Sequence, residues 1–245
     1  MPLAIERHSP SSLNLFAAEP AMWVLERLLG IKQPVGVPAH RGVAVETGVA
    51  YGLLHPEDKT DNKAFKQALA TYDALTALSG DERRDKYRKD IPDMVLRGLA
   101  ELGDYGIPSD VQGFITWKPD GLKFPIVGYY DFMWKDHGII VDLKTTERMP
   151  SDIKIGHARQ VSLYSMDSNS EGRICYVTPK KSQTLVLENS AEHRKALYQL
   201  AKRVENFLAL GDDPEFFVSI TAPDLDSFYW GDPAARELAF KYWKI

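Results

Sequence analysis

The stretch that most restricts what this chain can fold into is 138–145, Gly-Ile-Ile-Val-Asp-Leu-Lys-Thr. Ile139, Ile140 and Val141 form a continuous apolar, β-branched run behind a glycine, and such a run specifies a strand buried in a sheet. Asp142 and Lys144 follow at i and i+2, so both side chains project from one face of that strand. A buried carboxylate or ammonium is costly unless it is paired or bound to a metal. Taken alone, the pair fits a structural salt bridge at a strand end as well as it fits a reactive centre.

Asp131 changes that balance. It follows the apolar run Ile126, Val127, Gly128, Tyr129, Tyr130 and precedes Asp142 by eleven residues, with turn chemistry at 135–138 between them. A hairpin over 124–145 sets the two strands side by side and lets the two aspartates face each other across the ladder. Like charges in contact repel, so this arrangement asks for a cation. All-oxygen ligands select Mg²⁺ or Mn²⁺ over zinc. Gly128 leaves backbone room for a ligand, or marks a bulge.

Composition excludes several alternatives. The 245 residues carry 44% hydrophobic and 26% charged side chains, ordinary for a globular chain. No apolar run reaches the roughly 18 residues of a membrane span. Segment 1–10 has Glu6, Arg7 and His8 and no apolar core, so a secretory signal is not expected. The single cysteine, Cys175, rules out an internal disulfide, a Cys₄ zinc site and a cysteine-held iron–sulfur cluster within one chain. A reducing, cytoplasmic setting fits. The net charge of −4 is not that of a basic nucleic-acid binder, although acids gathered at a metal site depress it.

The pattern along the chain predicts helices first and then strands. Ser9 or Ser11 is a helix N-cap with Pro10 in the first turn, and Leu13, Phe16 and Ala17 share one helical face. A second helix is expected over 21–29 with Gly30 closing it, a loop over 31–40, and helices over 43–54, 62–78 and 91–102. The charge cluster 81–90 reads as solvated. Strands follow over 110–117, 124–134 and 138–145, a helix over 153–165, strands over 173–178 and 184–188, and a long helix over 190–210. The tail from Gly211 reads as irregular up to a short helix from Pro233. The expected fold class is α/β: a central mixed β-sheet flanked by helices, behind a helical N-terminal part.

Three further residues stand out by position. Glu46 is a lone acid in a small, apolar helical stretch, which by itself suits a helix surface. Gln160 and Tyr164 lie at i and i+4, on one helix face, and offer donors to a phosphate or to catalytic groups. His40 and His157 stand near these positions. Lys180 and Lys181 occupy a strand-to-strand turn that suits a solvated surface. Phe228, Tyr229 and Trp230 form an aromatic run suited to core packing, a subunit contact or stacking on unpaired bases.

The motifs in their order, Ser9-Pro10-Ser11-Ser12-Leu13-Asn14-Leu15-Phe16, Arg41-Gly42 leading to Glu46, Gly128-Tyr129-Tyr130-Asp131, Asp142-Leu143-Lys144-Thr145-Thr146 and Gln160-Val161-Ser162-Leu163-Tyr164, resemble the RecB-like branch of the PD-(D/E)XK nuclease superfamily, phage-type exonucleases included. The likeness spans about Ser9 to Tyr176. Many relatives carry His where Glu46 stands, and some phage-type members carry Glu. Glu19-Pro20 occupies the place where a Cys-Pro begins the cluster-binding set of some relatives.

The resemblance implies a restriction-endonuclease-like core and one nuclease domain over 1–245: a mainly helical part to about 105, a catalytic core over 106–210 and a tail over 211–245. It implies a metal-dependent deoxyribonuclease, an exonuclease acting in phage-type recombination, replication or DNA degradation, in a bacterial or phage-infected cell. The alternatives are a structure- or site-specific endonuclease, or a catalytically idle DNA-binding accessory of the same fold. Glu46, Asp131, Asp142 and the Leu143 backbone carbonyl would hold Mg²⁺, with Mn²⁺ able to substitute. Lys144, Gln160 and Tyr164 complete the implied catalytic set, and Arg41, Thr145, His157 and Lys180 are candidate nucleic-acid contacts. DNA is the implied partner, with a single-strand annealing protein and a second copy of the chain as further candidates.

Overall fold

A computed structural model describes residues 5–166 and 170–245. The chain divides into two compact units. One comprises the residues up to Pro34, Thr116–Gly128 and Glu192–Ile245; the other comprises Val35–Ile115 and Tyr129–Ala191.

The second unit carries most of the sheet and four helices. In chain order these are α3 (Val37–Leu54), α4 (Lys63–Leu75), α5 (Arg84–Leu102), β1 (Asp110–Trp117), β2 (Ile126–Trp134), β3 (Ile139–Thr145), α6 (Ile155–Tyr164), β4 (Glu171–Val177) and β5 (Ser182–Val186). The five strands lie in sequence order; β2 and β3 are antiparallel, β3 and β4 parallel, β4 and β5 antiparallel. This is the mixed sheet flanked by helices that the pattern predicts, and α6 is the crossover a parallel β3–β4 pair requires. The β2–β3 turn is a short 3₁₀ segment closed by Gly138 at φ +61, a left-handed conformation that glycine adopts without a Cβ penalty.

Phe132, Trp134, Val141, Leu143, Cys175 and Val177 turn one sheet face into a core shared with Val45 and Val49 of α3 and Ile91, Met94 and Val95 of α5. The helices approach closely because small residues lie at the crossings. A Cβ on Gly48 would come within 2.8 Å of Val95 Cγ2 and 2.9 Å of the Ala64 carbonyl oxygen.

Two boundaries differ from the sequence reading. Helix α3 begins at Val37, because Pro38 sits in its first turn, where a missing N–H costs nothing. The charge cluster 81–90 is largely exposed and also provides the first turns of α5, whose Arg84 and Arg88 both bind Asp73 of α4, at 3.1 and 2.7 Å. Pro92 lies inside the same helix.

The first unit contains α1 (Pro10–Ala18), α2 (Pro20–Arg27), most of α7 (Ser190–Leu208), α8 (Pro214–Ser219) and α9 (Pro233–Trp243). Ser9 caps α1 through its hydroxyl, which accepts from Ser12 N, with Pro10 following as expected. Helix α8 lies in a stretch expected to be irregular and is capped by Asp213. Ala21, Met22 and Leu25 of α2 pack with Trp230, Ala235 and Ala239. Trp230 is buried edge-on against Trp243, 5.8 Å between ring centres, so its place in the aromatic run is one of packing. His8 and Glu205, 3.3 Å apart, lie with Phe124, whose backbone N–H also donates to Glu205. Among the described residues no helix is long and apolar enough to cross a membrane.

Candidate active site

The hairpin register sets the site. Phe132 pairs with Val141 and Met133 with Ile140, so the same ladder continued by one step puts Asp131 opposite Asp142. The Asp142 side chain leaves the face opposite the apolar core, because Val141 and Leu143 point into that core and strand side chains alternate. Asp131 is 7% exposed and accepts the Leu143 N–H at 2.7 Å. Asp142 is fully buried; neither of its oxygens has a hydrogen-bond partner, and Oδ2 lies 2.7 Å from the Lys144 ammonium. Glu46 comes in from the second turn onward of α3, half-buried.

The electrostatics are those of an over-acidic cavity. Burial, then the charges of Asp142 and Glu46, push Asp131 well above the ordinary carboxylate range. Burial also raises Asp142, against the pull of Lys144. Glu46 rises to about 7 through burial, with Lys144 opposing and Asp142 adding to the shift. Burial works against the Lys144 charge, but Asp142, Asp131 and Glu46 outweigh it and its pKa is raised. Lys144 is therefore an ammonium at neutral pH. Three carboxylates against one ammonium leave a formal charge of −2 when all are ionised, and the donors are all oxygen. That set fits a hard divalent cation.

Gln160 and Tyr164 are brought to the same place. Gln160 Nε2 donates to the Tyr164 hydroxyl at 2.6 Å. Burial and then the Asp142 charge raise the Tyr164 pKa far out of the physiological range, so its hydroxyl stays protonated.

The other candidates separate. Arg41 is buried, 2% exposed, with Glu147 at 2.6 Å, Asp90 at 3.6 Å and the Tyr87 ring 4.6 Å beneath its guanidinium. These neighbours surround the guanidinium, whose Nε and Nη1 have no hydrogen-bond partner. His157 is held by Tyr176, Nδ1 to hydroxyl 2.8 Å, and burial with the Lys144 and Lys154 charges lowers its pKa to about 4. It is a neutral ring beside the site. Thr145 is half-buried at the end of β3, and a Cβ on Gly42 would stand 3.3 Å from its hydroxyl. His40 is half-buried in the first turn of α3. Lys180 and Lys181 are exposed in the β4–β5 turn, their N–H groups donating to the Thr178 hydroxyl.

Sequence reasoning missed Gln112 and Tyr176. Gln112 has φ +56 inside β1, a left-handed conformation rare outside glycine. Its amide nitrogen donates to Glu46 and, at 3.3 Å, to Asp131. The next residue, Gly113, is in turn pressed against the Tyr130 ring with no room for a Cβ. Tyr176 is the direct partner of Lys144 across the β3–β4 ladder. Nothing in the local sequence of either marks it.

Among the described residues, the acidic group whose ligand atoms lie within 4.8 Å of one another is His55, Glu57 and Asp58, not Glu46, Asp131 and Asp142. It is weaker as a cation site, because Asp58 already accepts from Lys63 at 2.9 Å and from the Tyr51 hydroxyl at 2.7 Å.

No curated protein matches the chain in sequence. A solved structure described as the crystal structure of SSO0001 is 13% identical over 82% of this chain and 90% of its own, with a TM-score of 0.36, which adds nothing to the assignment. The family model of the PD-(D/E)XK nuclease superfamily matches residues 7–218, a span that contains Glu46, Asp131, Asp142 and Lys144. This chain therefore belongs to the PD-(D/E)XK nuclease superfamily, the nucleases that work with divalent metal ions.

Proposed function

We propose that the chain is a Mg²⁺-dependent exonuclease that hydrolyses phosphodiester bonds in DNA from an end, with Mn²⁺ able to replace Mg²⁺. The observation that carries this reading is the buried cluster of Glu46, Asp131 and Asp142 around the single ammonium of Lys144. Net negative charge inside a folded unit costs stability unless protons or a cation neutralise it, and a cation is also what phosphate chemistry needs.

In this reading Glu46, Asp131 and Asp142, with the Leu143 carbonyl, hold the ion. A divalent ion supplies Lewis acidity, acidifying water and neutralising charge on the phosphate. Lys144, ion-paired with Asp142, would act as a donor to the attacking water or help to take up its proton. It orients the attacking water and stabilises the charge that builds on the phosphate as the new P–O bond forms and the bond to the leaving oxygen breaks. Tyr164 donates its hydroxyl hydrogen bond toward the same space, and Gln160 fixes the direction of that hydroxyl. The motif order resembling phage-type exonucleases supports a role in recombination, replication or DNA degradation in the cytoplasm of a bacterial or phage-infected cell. A single-strand annealing protein and further copies of the chain are the partners this role implies. The whole of 1–245 then serves one nuclease domain.

The test is digestion of end-labelled linear DNA beside a covalently closed circle in Mg²⁺, with the wild type, Asp131→Ala and Lys144→Ala. Linear DNA should shorten from its ends, the circle should survive, and both variants should be inactive. A nicked or linearised circle makes the enzyme an endonuclease. Variants as fast as the wild type remove the site assignment, and a wild type that binds DNA with no cleavage in any divalent metal is an accessory protein.

A further inference from the structure

Beside the acidic cluster stand two aromatic rings that the core does not use. Phe114 on β1 is 54% exposed and Tyr129 on β2 is 53% exposed. Their rings touch, 5.1 Å between centres and inclined at 52°. Both belong to the sheet-bearing unit. Large aromatics are usually withdrawn from water, and a contacting pair left open is an unusual surface.

Their placement ties them to the site. Tyr129 precedes Asp131 by two residues on β2, so the two side chains share a face about 6.7 Å apart along the strand. Phe114 follows Gln112 by two residues on β1, and both are exposed while Gly113 and Ile115 between and after them are buried. Gln112 touches Asp131 and Glu46, and Phe114 touches Tyr129, so the acids and the rings form neighbouring rows of one surface. Phe114 also lines a cavity of about 380 Å³ together with Tyr130, Met133, Lys135 and Tyr164. Tyr164 belongs to the candidate site, and Lys135 is the cation in this lining.

We propose that Phe114 and Tyr129 are a stacking platform for an unpaired nucleobase of the DNA strand whose phosphate reaches the acidic cluster. The inference rests on the nuclease reading of that cluster. An exposed aromatic pair one residue pair away from the acids lies within the reach of a single nucleotide. A base inside a duplex has both faces covered by its neighbours, so only an unpaired or frayed base can offer a face to these rings. Stacking is tolerant of base identity, which suits an enzyme that must process any sequence. It also supplies affinity that a chain of net charge −4 does not draw from a dense basic surface. The substrate at the site is then a single strand, or the frayed end of a duplex, rather than an intact duplex segment.

The test measures binding in EDTA, where no cleavage occurs, by fluorescence anisotropy. The probes are a labelled oligothymidylate, the same strand with abasic positions throughout, and a blunt duplex closed by hairpins at both ends. The proteins are the wild type, Phe114→Ala, Tyr129→Ala and Tyr129→Trp, all at exposed positions where folding is retained and checked by circular dichroism. Each alanine variant should bind oligothymidylate roughly tenfold more weakly, and Tyr129→Trp should restore the wild-type affinity. The abasic strand should bind the wild type and the alanine variants alike, and the closed duplex should not distinguish them. Unchanged oligothymidylate binding, equal weakening on the abasic strand, or no binding by any protein overturns the proposal. If these fail while Asp131→Ala still abolishes cleavage, the platform is wrong and the nuclease site stands. If Asp131→Ala cleaves like the wild type, the reading beneath both is wrong.

Discussion

Replacing Glu46 by Gln tests whether the acidic cluster is built for a cation or for internal salt bridging. Its folded-state pKa stands at about 7, against 4.5 for an ordinary glutamate, with burial as the largest cause. Because the folded value is raised, the folded state holds the proton more tightly than the unfolded chain does. Glu46 therefore contributes no penalty below pH 4.5, costs increasing stability as pH rises from 4.5 to about 7, and costs the full amount above that. At 1.36 kcal/mol per pH unit the full cost is about 3 kcal/mol; the side chain is partly open to solvent, and screening brings it to about 2 kcal/mol. Gln keeps the shape and can still accept from Gln112, but it has no charge to desolvate. In EDTA, Glu46→Gln should match the wild type at pH 4 and exceed it by about 2 kcal/mol at pH 8, read from urea denaturation midpoints. Adding Mg²⁺ or Mn²⁺ at pH 8 should stabilise the wild type strongly and the variant little. If the variant is less stable than the wild type at pH 8 in EDTA, Glu46 is a structural partner of Lys144, and the argument from charge excess fails.

Two further outcomes follow from residues around that cluster. Gln112→Gly suits the left-handed backbone and removes the amide that donates to Glu46 and Asp131, so an incoming ion no longer competes with it. Mn²⁺ affinity by calorimetry should rise several-fold, by about 1 kcal/mol for one charged hydrogen-bond group, and a fall would instead mark the side chain as a ligand. Arg41→Ala removes a buried side chain packed on Tyr87 and facing Glu147. It should cost about 2 kcal/mol of stability while the salt dependence of DNA binding stays unchanged; a shallower salt slope at unaltered stability would return Arg41 to the phosphate path.

Much of the catalytic hairpin is determined by local sequence. The run 139–141, the apolar strand before it and Gly138 between them dictate two adjacent strands, and the count of residues around that turn is what brings Asp131 and Asp142 to neighbouring strands. The i, i+2 rule then places Lys144 beside Asp142, and the i, i+4 rule places Gln160 beside Tyr164. These relations are short in sequence, and backbone periodicity alone carries them. What lies across long separations was decided by packing. Asp73 recruits Arg84 and Arg88, which turns a charge cluster into a helix. The enclosure of Arg41 by Tyr87, Asp90 and Glu147 makes it part of a buried ion pair. Gln112 reaches the acids only because the chain turns left-handed where Gly113 meets the Tyr130 ring. The exposure of Phe114 and Tyr129 likewise depends on which strands become neighbours and which face the helices leave open. No periodicity encodes that, because it is a property of the assembled sheet and not of either strand.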